Sequence, residues 1–231
     1  MFEISPAEWT AILLSLRVAV IATLVATPFG IALAWLLARR EFWGKSIVDA
    51  LVHLPLVLPP VVTGYLLLLT FGRRGLVGAW LADNLGIVFA FRWTGAALAC
   101  GVMSFPLLVR PIRLSIEAID RRLEQASSTL GAAPWQVFAT VTLPLALPGV
   151  LAGMVLGFAK AIGEFGATIT FVSNIPGETQ TISSAIYSLI QTPDGDTAAM
   201  RLVVVSTVIA MGALIASEWF ARRATKRLHG N

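Results

Sequence analysis

The most constraining feature of this sequence is a charged stretch that separates two long apolar runs. Residues 94–109 and 147–167 are predominantly apolar, whereas six ionisable side chains fall within the twelve positions from 113 to 124. The six are Arg113, Glu117, Asp120, Arg121, Arg122 and Glu124. On insertion scales, a charged side chain costs roughly 2.5–3.5 kcal/mol at the centre of a bilayer. We therefore predict that residues 110–143 form a polar loop and not a lipid-facing span.

The composition of the whole chain differs from that of soluble domains. Of its 231 residues, 57% are hydrophobic and 13% are charged, whereas soluble domains carry about 25% charged residues. A helical span needs about 20 apolar residues. The predicted spans cover residues 18–38, 47–71, 94–109, 147–167 and 202–220. We expect an all-α, polytopic integral membrane protein of about five transmembrane helices, forming a single transmembrane domain over residues 1–231.

The loops between these spans predict an orientation. Cytoplasmic loops carry an excess of Lys and Arg, and here one side carries eleven such residues against six on the other. The N-terminus is then outside, the C-terminus is inside, and the 110–143 loop is cytoplasmic. Residues 1–8 contain two acids and no basic residue, so we expect the first span to be retained and not cleaved as a signal peptide. The basic residues are scattered through short loops, which argues against a nucleic-acid partner.

The cytoplasmic loop has its own internal pattern. Gly131 can end a helix with positive φ, and Pro134 suits the first turn of the next one, so the loop is predicted to form a helix, a tight turn and a second helix. Trp135, Phe138 and Val141 recur every three residues and place an apolar stripe on the second helix. This stripe alone fits two alternatives, an amphipathic helix on the membrane surface or a surface that presses on a partner.

The loop resembles the "EAA…G…LP" cytoplasmic loop of ABC importer permeases, in which a short helix docks into a groove of an ATPase subunit. The resemblance implies a type I ABC importer permease fold, with ATPase coupling through the matching positions of this chain. These positions are Glu124, Gln125, Ala126, Ser127, Gly131, Ala132, Trp135, Leu143 and Pro144. Two positions depart from the pattern. Gln125 stands where strict spacing puts Glu in many families, and Ser127 replaces the second Ala.

The resemblance extends over nearly the whole chain to the molybdate-transport permeases of bacteria. Residues 53–65, 103–107 and 163–179 carry it, and the Gly-Glu-Phe-Gly piece at 163–166 is shared with sulfate and tungstate permeases. The likeness implies a multi-pass protein of the inner (plasma) membrane that pairs with a second copy of itself. Its other implied partners are two ABC ATPase subunits, an external molybdate-binding protein and membrane lipid.

A translocation path is predicted from breaks and polar groups within the spans. Pro59 and Pro60, with Pro55, interrupt the second span, and broken backbone is tolerated at membrane depth where it is buried in protein or lines a wet cavity. The alternative is a proline-kinked packing helix. Lys160 and Glu164 lie on one helical face, either as a mutual structural salt bridge or with Lys160 attracting an anion that Glu164 holds in place. Candidate donors along the path are Ser104, Thr168 and Thr170, with Ser173 and Asn174, although such residues are often helix–helix contacts.

External elements and absent motifs complete the prediction. Residues 168–201 are expected to lie outside, to include a short amphipathic helix at 181–190, and to dock the binding protein with charge from Arg73 and Arg74. The sequence has no G-x-x-x-x-G-K-[ST] motif and only two His residues, so we expect no enzyme activity, cofactor or metal in this chain. The rival functions are a sulfate or tungstate permease and, from another class, a secondary anion carrier. The expected mechanism is alternating access driven by the partner ATPase.

Overall fold

The computed structural model describes residues 4–229, with side chains described as far as residue 216. Helices make up the regular structure of this part of the chain. They are α1 (Pro6–Arg39), α2 (Lys45–Val57), α3 (Pro60–Phe71), α4 (Leu76–Leu85), α5 (Trp93–Glu117), α6 (Arg121–Thr129), α7 (Pro134–Val137), α8 (Leu143–Ile162), α9 (Gly166–Val172), α10 (Ile182–Leu189) and α11 (Asp196–His229). Four stretches are long and apolar enough to cross a membrane, and α2 with α3 makes a fifth if the bent pair is one span. The predicted all-α membrane architecture is confirmed. Residues 1–3, part of the N-terminal stretch for which no signal-peptide cleavage is expected, lie outside the described residues. The side chains of residues 217–231, which include basic residues counted on the cytoplasmic side, also lie outside them.

The first helix is longer than predicted, because it begins at Pro6 and not near residue 18. Ser5 caps it by accepting a hydrogen bond from the Glu8 amide at 3.2 Å, in a capping box that the Glu8 side chain completes. The extra turns pack against protein instead of lipid, since Ile12 is buried with residues of α10 and α11. Glu8 is also bonded to Arg201 of α11 at 2.9 Å. The outer end of α1 is therefore held by tertiary contacts that hydropathy does not report.

The second predicted span, residues 47–71, is not one continuous helix. It divides into α2 and α3, whose axes differ by 115° across Leu58 and Pro59. Two consecutive prolines, Pro59 and Pro60, remove two backbone donors, and proline also disfavours helical backbone in the residue before it. The predicted break is therefore present, and it turns the chain sharply instead of kinking a packing helix.

The third and fourth spans also end elsewhere than predicted. Helix α5 continues eight residues beyond 109 to Glu117, because Arg113 pairs with Asp49 of α2 at 2.7 Å and with Glu117 at 2.8 Å. The polar loop thus begins near residue 118 and not at 110. The fourth span stops at Ile162 and the chain restarts as α9, which packs against α3 and α5. Residues 166–172 therefore belong to the packed helical core, whereas the external segment was predicted to begin at 168.

The core of the fold lies around α5, which packs against α1 on one side and α8 on the other. Ala96 and Ala99 are fully buried, and a Cβ added at Gly153 of α8 would lie 2.5 Å from the Leu108 carbonyl oxygen. Small residues let helix backbones approach closely where no hydrophobic effect drives helices together. The short helix predicted at 181–190 is present as α10, and it packs on α1 and α11.

Close packing between α3 and α9 gives a direct stability prediction. A Cβ added at Gly64 would lie 2.5 Å from the carbonyl oxygen and 2.9 Å from the Cα of Ala167, and backbone atoms cannot give way as a flexible side chain can. We expect Gly64→Ala to destabilise the protein by about 1–3 kcal/mol, as overpacking does, and to lower its melting temperature in detergent. The matched control is Gly212→Ala on α11, whose Cβ would have no neighbour within 4 Å in the described part of the chain and which should be neutral or stabilising.

Candidate functional site: the cytoplasmic loop and the broken second span

The cytoplasmic loop folds as helix, turn and helix, as predicted. Asp120 caps α6 by accepting from the Arg122 amide at 2.9 Å. After α6 the chain reverses at Gly131, whose φ of +88° lies in the region that glycine favours. Pro134 then occupies the first turn of α7. A π-helical turn, Phe138–Thr142, joins α7 to α8, so the loop is continuous with the fourth span.

Glu124 lies on the inner side of α6, where its carboxylate joins three parts of the chain. One oxygen is 3.0 Å from Nε of Arg39, at the end of α1. The other accepts a hydrogen bond from the Thr142 hydroxyl at 2.6 Å. Arg39 also donates to the carbonyl of Ile119 at 3.3 Å, and its side chain is only 8% exposed. This Arg39–Glu124–Thr142 clamp fixes the loop to the ends of the first and fourth spans.

The outer side of the loop presents apolar groups to solvent. Leu123, Leu130 and Trp135 are 50%, 89% and 70% exposed. The remaining predicted coupling residues lie around them, with Gln125, Ala126, Gly131 and Pro144 exposed and Ser127, Ala132 and Leu143 half-buried. We call Leu123, Leu130 and Trp135 the apolar ridge.

The residues of the predicted apolar stripe do not lie on one face in the structure. Phe138 turns inward and packs edge-on against Trp35 of α1, with ring centroids 6.1 Å apart, while Trp135 points to solvent. The π-helical turn that begins at Phe138 changes the residue period on which the three-residue spacing relied. Only Trp135 of the predicted stripe is therefore on the exposed ridge.

The broken second span meets the start of α9. A Cβ added at Gly166 would lie 2.7 Å from the Cβ of Pro60, so the first turns of α3 and α9 touch. Pro59 and Pro60 are themselves exposed within this chain. Next to this junction, Glu164 accepts from the Ala167 amide at 3.0 Å. Glu164 is also bonded to Lys160 Nζ at 2.6 Å, and the Glu164 side chain is 1% exposed against 30% for Lys160.

The predicted hydroxyl donors are engaged with their own helices. Ser104 donates to the Gly101 carbonyl at 3.3 Å, Thr168 to Phe165 at 2.8 Å, and Thr170 to Gly166 at 2.8 Å. Each must rotate away from its carbonyl before it can donate to a ligand. Thr168 and Thr170 lie near the Pro60–Gly166 junction, whereas Ser104 is on α5 and faces Gly157 of α8.

Three residues of these regions were not singled out from the sequence. Arg39 directly follows the first predicted span, and neither Arg39 nor Thr142 belongs to a motif that predicts a function. Thr63, in the first turns of α3, is buried and its hydroxyl has no partner among the described residues. A basic residue directly after an apolar span is the one signal that could have pointed to Arg39. Among the residues that the structure describes, no cluster of three or more His, Cys, Asp or Glu side chains could hold a metal ion.

Comparison with known proteins places these features in context. Residues 26–228 match the family model described as the binding-protein-dependent transport system inner membrane component. The chain is 60% identical over 220 residues to the molybdenum transport system permease protein ModB of Escherichia coli (strain K12), covering 95% of this chain and 96% of that protein. It is 57% identical to the protein of the same name from Haemophilus influenzae, over 96% of both chains.

A solved structure shares the fold at low identity. A bacterial ABC transporter involved in the import of the acidic polysaccharide alginate superposes with a TM-score of 0.74 at 21% identity, covering 95% of this chain and 80% of that one. At this identity the likeness supports the fold alone. It agrees with the all-helical arrangement of α1 to α11.

Proposed function

This chain belongs to the family of binding-protein-dependent transport system inner membrane components, and we propose that it is the permease subunit of an ATP-driven molybdate importer of the inner membrane. The assignment of molybdate as the substrate rests on the 60% identity to a molybdenum transport permease over nearly the full length of both proteins. The described chain has apolar helices of span length and the apolar ridge, and its sequence contains no phosphate-binding loop motif. ATP hydrolysis is therefore assigned to a partner.

ATPase coupling is proposed for the cytoplasmic loop. The apolar ridge supplies exposed surface for a partner groove, since Leu130 is 89% and Trp135 70% exposed. The Arg39–Glu124–Thr142 clamp supports the transmission of force, because it ties the ridge to α1 and α8 through short polar contacts. A push on the ridge then moves two spans as one rigid unit.

The translocation path is proposed to run along the broken span, between this chain and a second copy of itself. Pro59 and Pro60 are exposed at the turn between α2 and α3. Lys160, whose side chain is 30% exposed, is bonded to Glu164, two residues before the Gly166 that touches Pro60. An oxyanion needs donors and positive potential that hold it only weakly. Lys160, Thr168 and Thr170 are proposed to supply them as the two copies rock between outward-open and inward-open states.

Docking of an external molybdate-binding protein is proposed for the surface formed by the segment after α9 and by Arg73 and Arg74. Both arginines and Glu178 are exposed within the described chain. Reversal of charge at Arg73 and Arg74 is the test of this part. Unchanged affinity for the binding protein would remove both residues from the docking surface.

The test of the proposed function is ATPase activity of this chain reconstituted in liposomes with its partner ATPase. The activity is compared with binding protein loaded with molybdate, loaded with sulfate, and empty. We expect several-fold stimulation with molybdate alone. Equal stimulation by sulfate would move the assignment to a broader oxyanion permease. Failure to assemble with any ATPase would favour a secondary anion carrier.

A further inference from the structure

A large apolar groove on this chain has no occupant assigned by the transport mechanism. It encloses about 680 Å³ between α1, α2 and α5, within the usual size range of ligand pockets. Every side chain that lines it is apolar except that of Thr94. Its walls include Val25 and Phe29 of α1 and Leu51 of α2, and its floor includes Ala97 and Gly101 of α5.

Two arginines lie at one end of this groove. The guanidinium carbon of Arg17 stacks 3.9 Å above the ring centre of Trp93, which lines the groove. Arg92 is exposed and stands in sequence between Phe89 and Trp93, both of which are lining residues. As far as side chains are described, to residue 216, neither arginine has a carboxylate within 4 Å.

Like Arg40 and Arg110, these two arginines have no carboxylate partner among the described side chains, and their place beside the groove is what distinguishes them. Arg39, Arg113 and Arg201 are each paired with a carboxylate at 3.0 Å or less. Unpaired charge beside an apolar surface is costly in a membrane unless a counter-ion or water solvates it. The mouth of the groove therefore combines unneutralised positive charge with a long apolar slot, which is the complement of an amphiphile with an anionic head.

The depth of Arg17 along α1 matches the boundary of the bilayer. Arg17 and Arg39 are separated by twenty-two residues of continuous helix, which corresponds to about 33 Å at 1.5 Å per residue. The hydrocarbon core of a bilayer is about 30 Å thick. With Arg39 at the cytoplasmic boundary, Arg17 lies at the level of the opposite headgroups.

We propose that this groove binds an anionic phospholipid of the outer leaflet. One acyl chain lies in the slot between α1, α2 and α5, and the phosphate lies between Arg17 and Arg92. An uncharged amphiphile fills the slot and leaves both guanidinium groups unneutralised, whereas a free anion neutralises them and leaves the slot empty. The anionic phospholipid does both.

The bound lipid also supports α2. No residue of α2 is buried within the described chain, although α2 forms half of the broken span. An acyl chain against Leu51, Val52 and Pro55 covers the apolar side of this helix. The lipid is then expected to stabilise the α1–α2–α5 arrangement as well as to bind it.

The test is native mass spectrometry of the complete transporter released from nanodiscs that contain equal amounts of phosphatidylglycerol and phosphatidylcholine. Two arginines that contact an anionic headgroup correspond to a preference for phosphatidylglycerol of at least about tenfold. We expect that preference to disappear in Arg17→Gln/Arg92→Gln. The matched control, Arg73→Gln/Arg74→Gln, removes two exposed external arginines that do not line the groove and should keep the preference.

A second variant separates the slot from the charges. Gly101→Leu places a side chain on the floor of the groove, where a Cβ has no neighbour closer than 3.8 Å, and should expel the lipid with both arginines intact. Equal binding of the two lipids, or retention of phosphatidylglycerol in Arg17→Gln/Arg92→Gln, overturns the proposal. A disulfide between protomers at Leu51→Cys, in a Cys100→Ala background, also overturns it, because a second copy would then cover the groove. Each variant is first checked for assembly with the ATPase.

Discussion

Replacing Glu124 with alanine is expected to lower anion uptake by at least about tenfold and to weaken binding of the proposed partner ATPase. The side chain of Arg39 is only 8% exposed, and Glu124 is its one carboxylate partner among the described residues. Removing one partner of a buried ion pair costs about 3–5 kcal/mol. Because the Glu124 side chain is 17% exposed, we expect a cost near the lower end of this range. A loss of 1.4 kcal/mol already corresponds to tenfold. The measurements are uptake into liposomes and recovery of the ATPase with this chain.

A double substitution separates positioning from direct contact. Arg39→Met/Glu124→Met replaces the pair with apolar side chains of similar length, a change that is often neutral in stability. If Glu124 acts by holding the loop, the double variant recovers ATPase binding relative to Glu124→Ala. If Glu124 touches the ATPase itself, the double variant stays as defective as the single one. Gln125→Ala is the matched control, because Gln125 neighbours Glu124 and is exposed.

Replacing Lys160 with glutamine is expected to destabilise the protein and to abolish uptake. The Glu164 carboxylate is 1% exposed and 2.6 Å from Lys160 Nζ, so the substitution leaves a buried charge without its cation. A change of this kind costs several kcal/mol. The measurement is thermal unfolding in detergent followed by uptake of the fraction that assembles.

A double substitution tests the charge of Lys160 without leaving a buried carboxylate unpaired. Lys160→Gln/Glu164→Gln keeps a hydrogen-bonding pair with no charge, and its melting temperature should return towards that of the original chain. We expect its uptake to remain at least about tenfold lower, since the path has lost the cation proposed to attract the anion. Normal uptake in the double variant would restrict the pair to a structural salt bridge.

The features that the sequence predicted correctly depend on local composition. Apolar runs of span length, the charged interval that begins at 113, and the Gly131 and Pro134 positions each act through a few neighbouring residues. The all-α architecture, the helix–turn–helix of the loop and the helix α10 were predictable for this reason. Family membership was predictable as well, because the residues that carry it lie in short continuous stretches.

The boundaries that were wrong depend on distant contacts. Helix α1 begins at Pro6 because its first turns pack on α10 and α11, and α5 reaches Glu117 because Asp49 of α2 pairs with Arg113. A hydropathy profile averages over residues that are neighbours in sequence. It therefore includes the energetic cost of burying a charge but not the ion pair with a distant residue that offsets this cost.

The role of particular side chains was decided by the tertiary structure alone. Glu124 lies in the motif that suggested an exposed docking surface, yet it faces inward to Arg39, which is 85 residues away in sequence. The same holds for the groove beneath Arg17, whose walls come from three helices. Local hydrophobicity and short motifs were enough to predict the apolar segments, the position of the charged loop and the family, because each depends on residues close together in the chain. The 115° turn of the second span, the clamp and the groove could not be predicted in this way, because they arise where residues far apart in the chain meet.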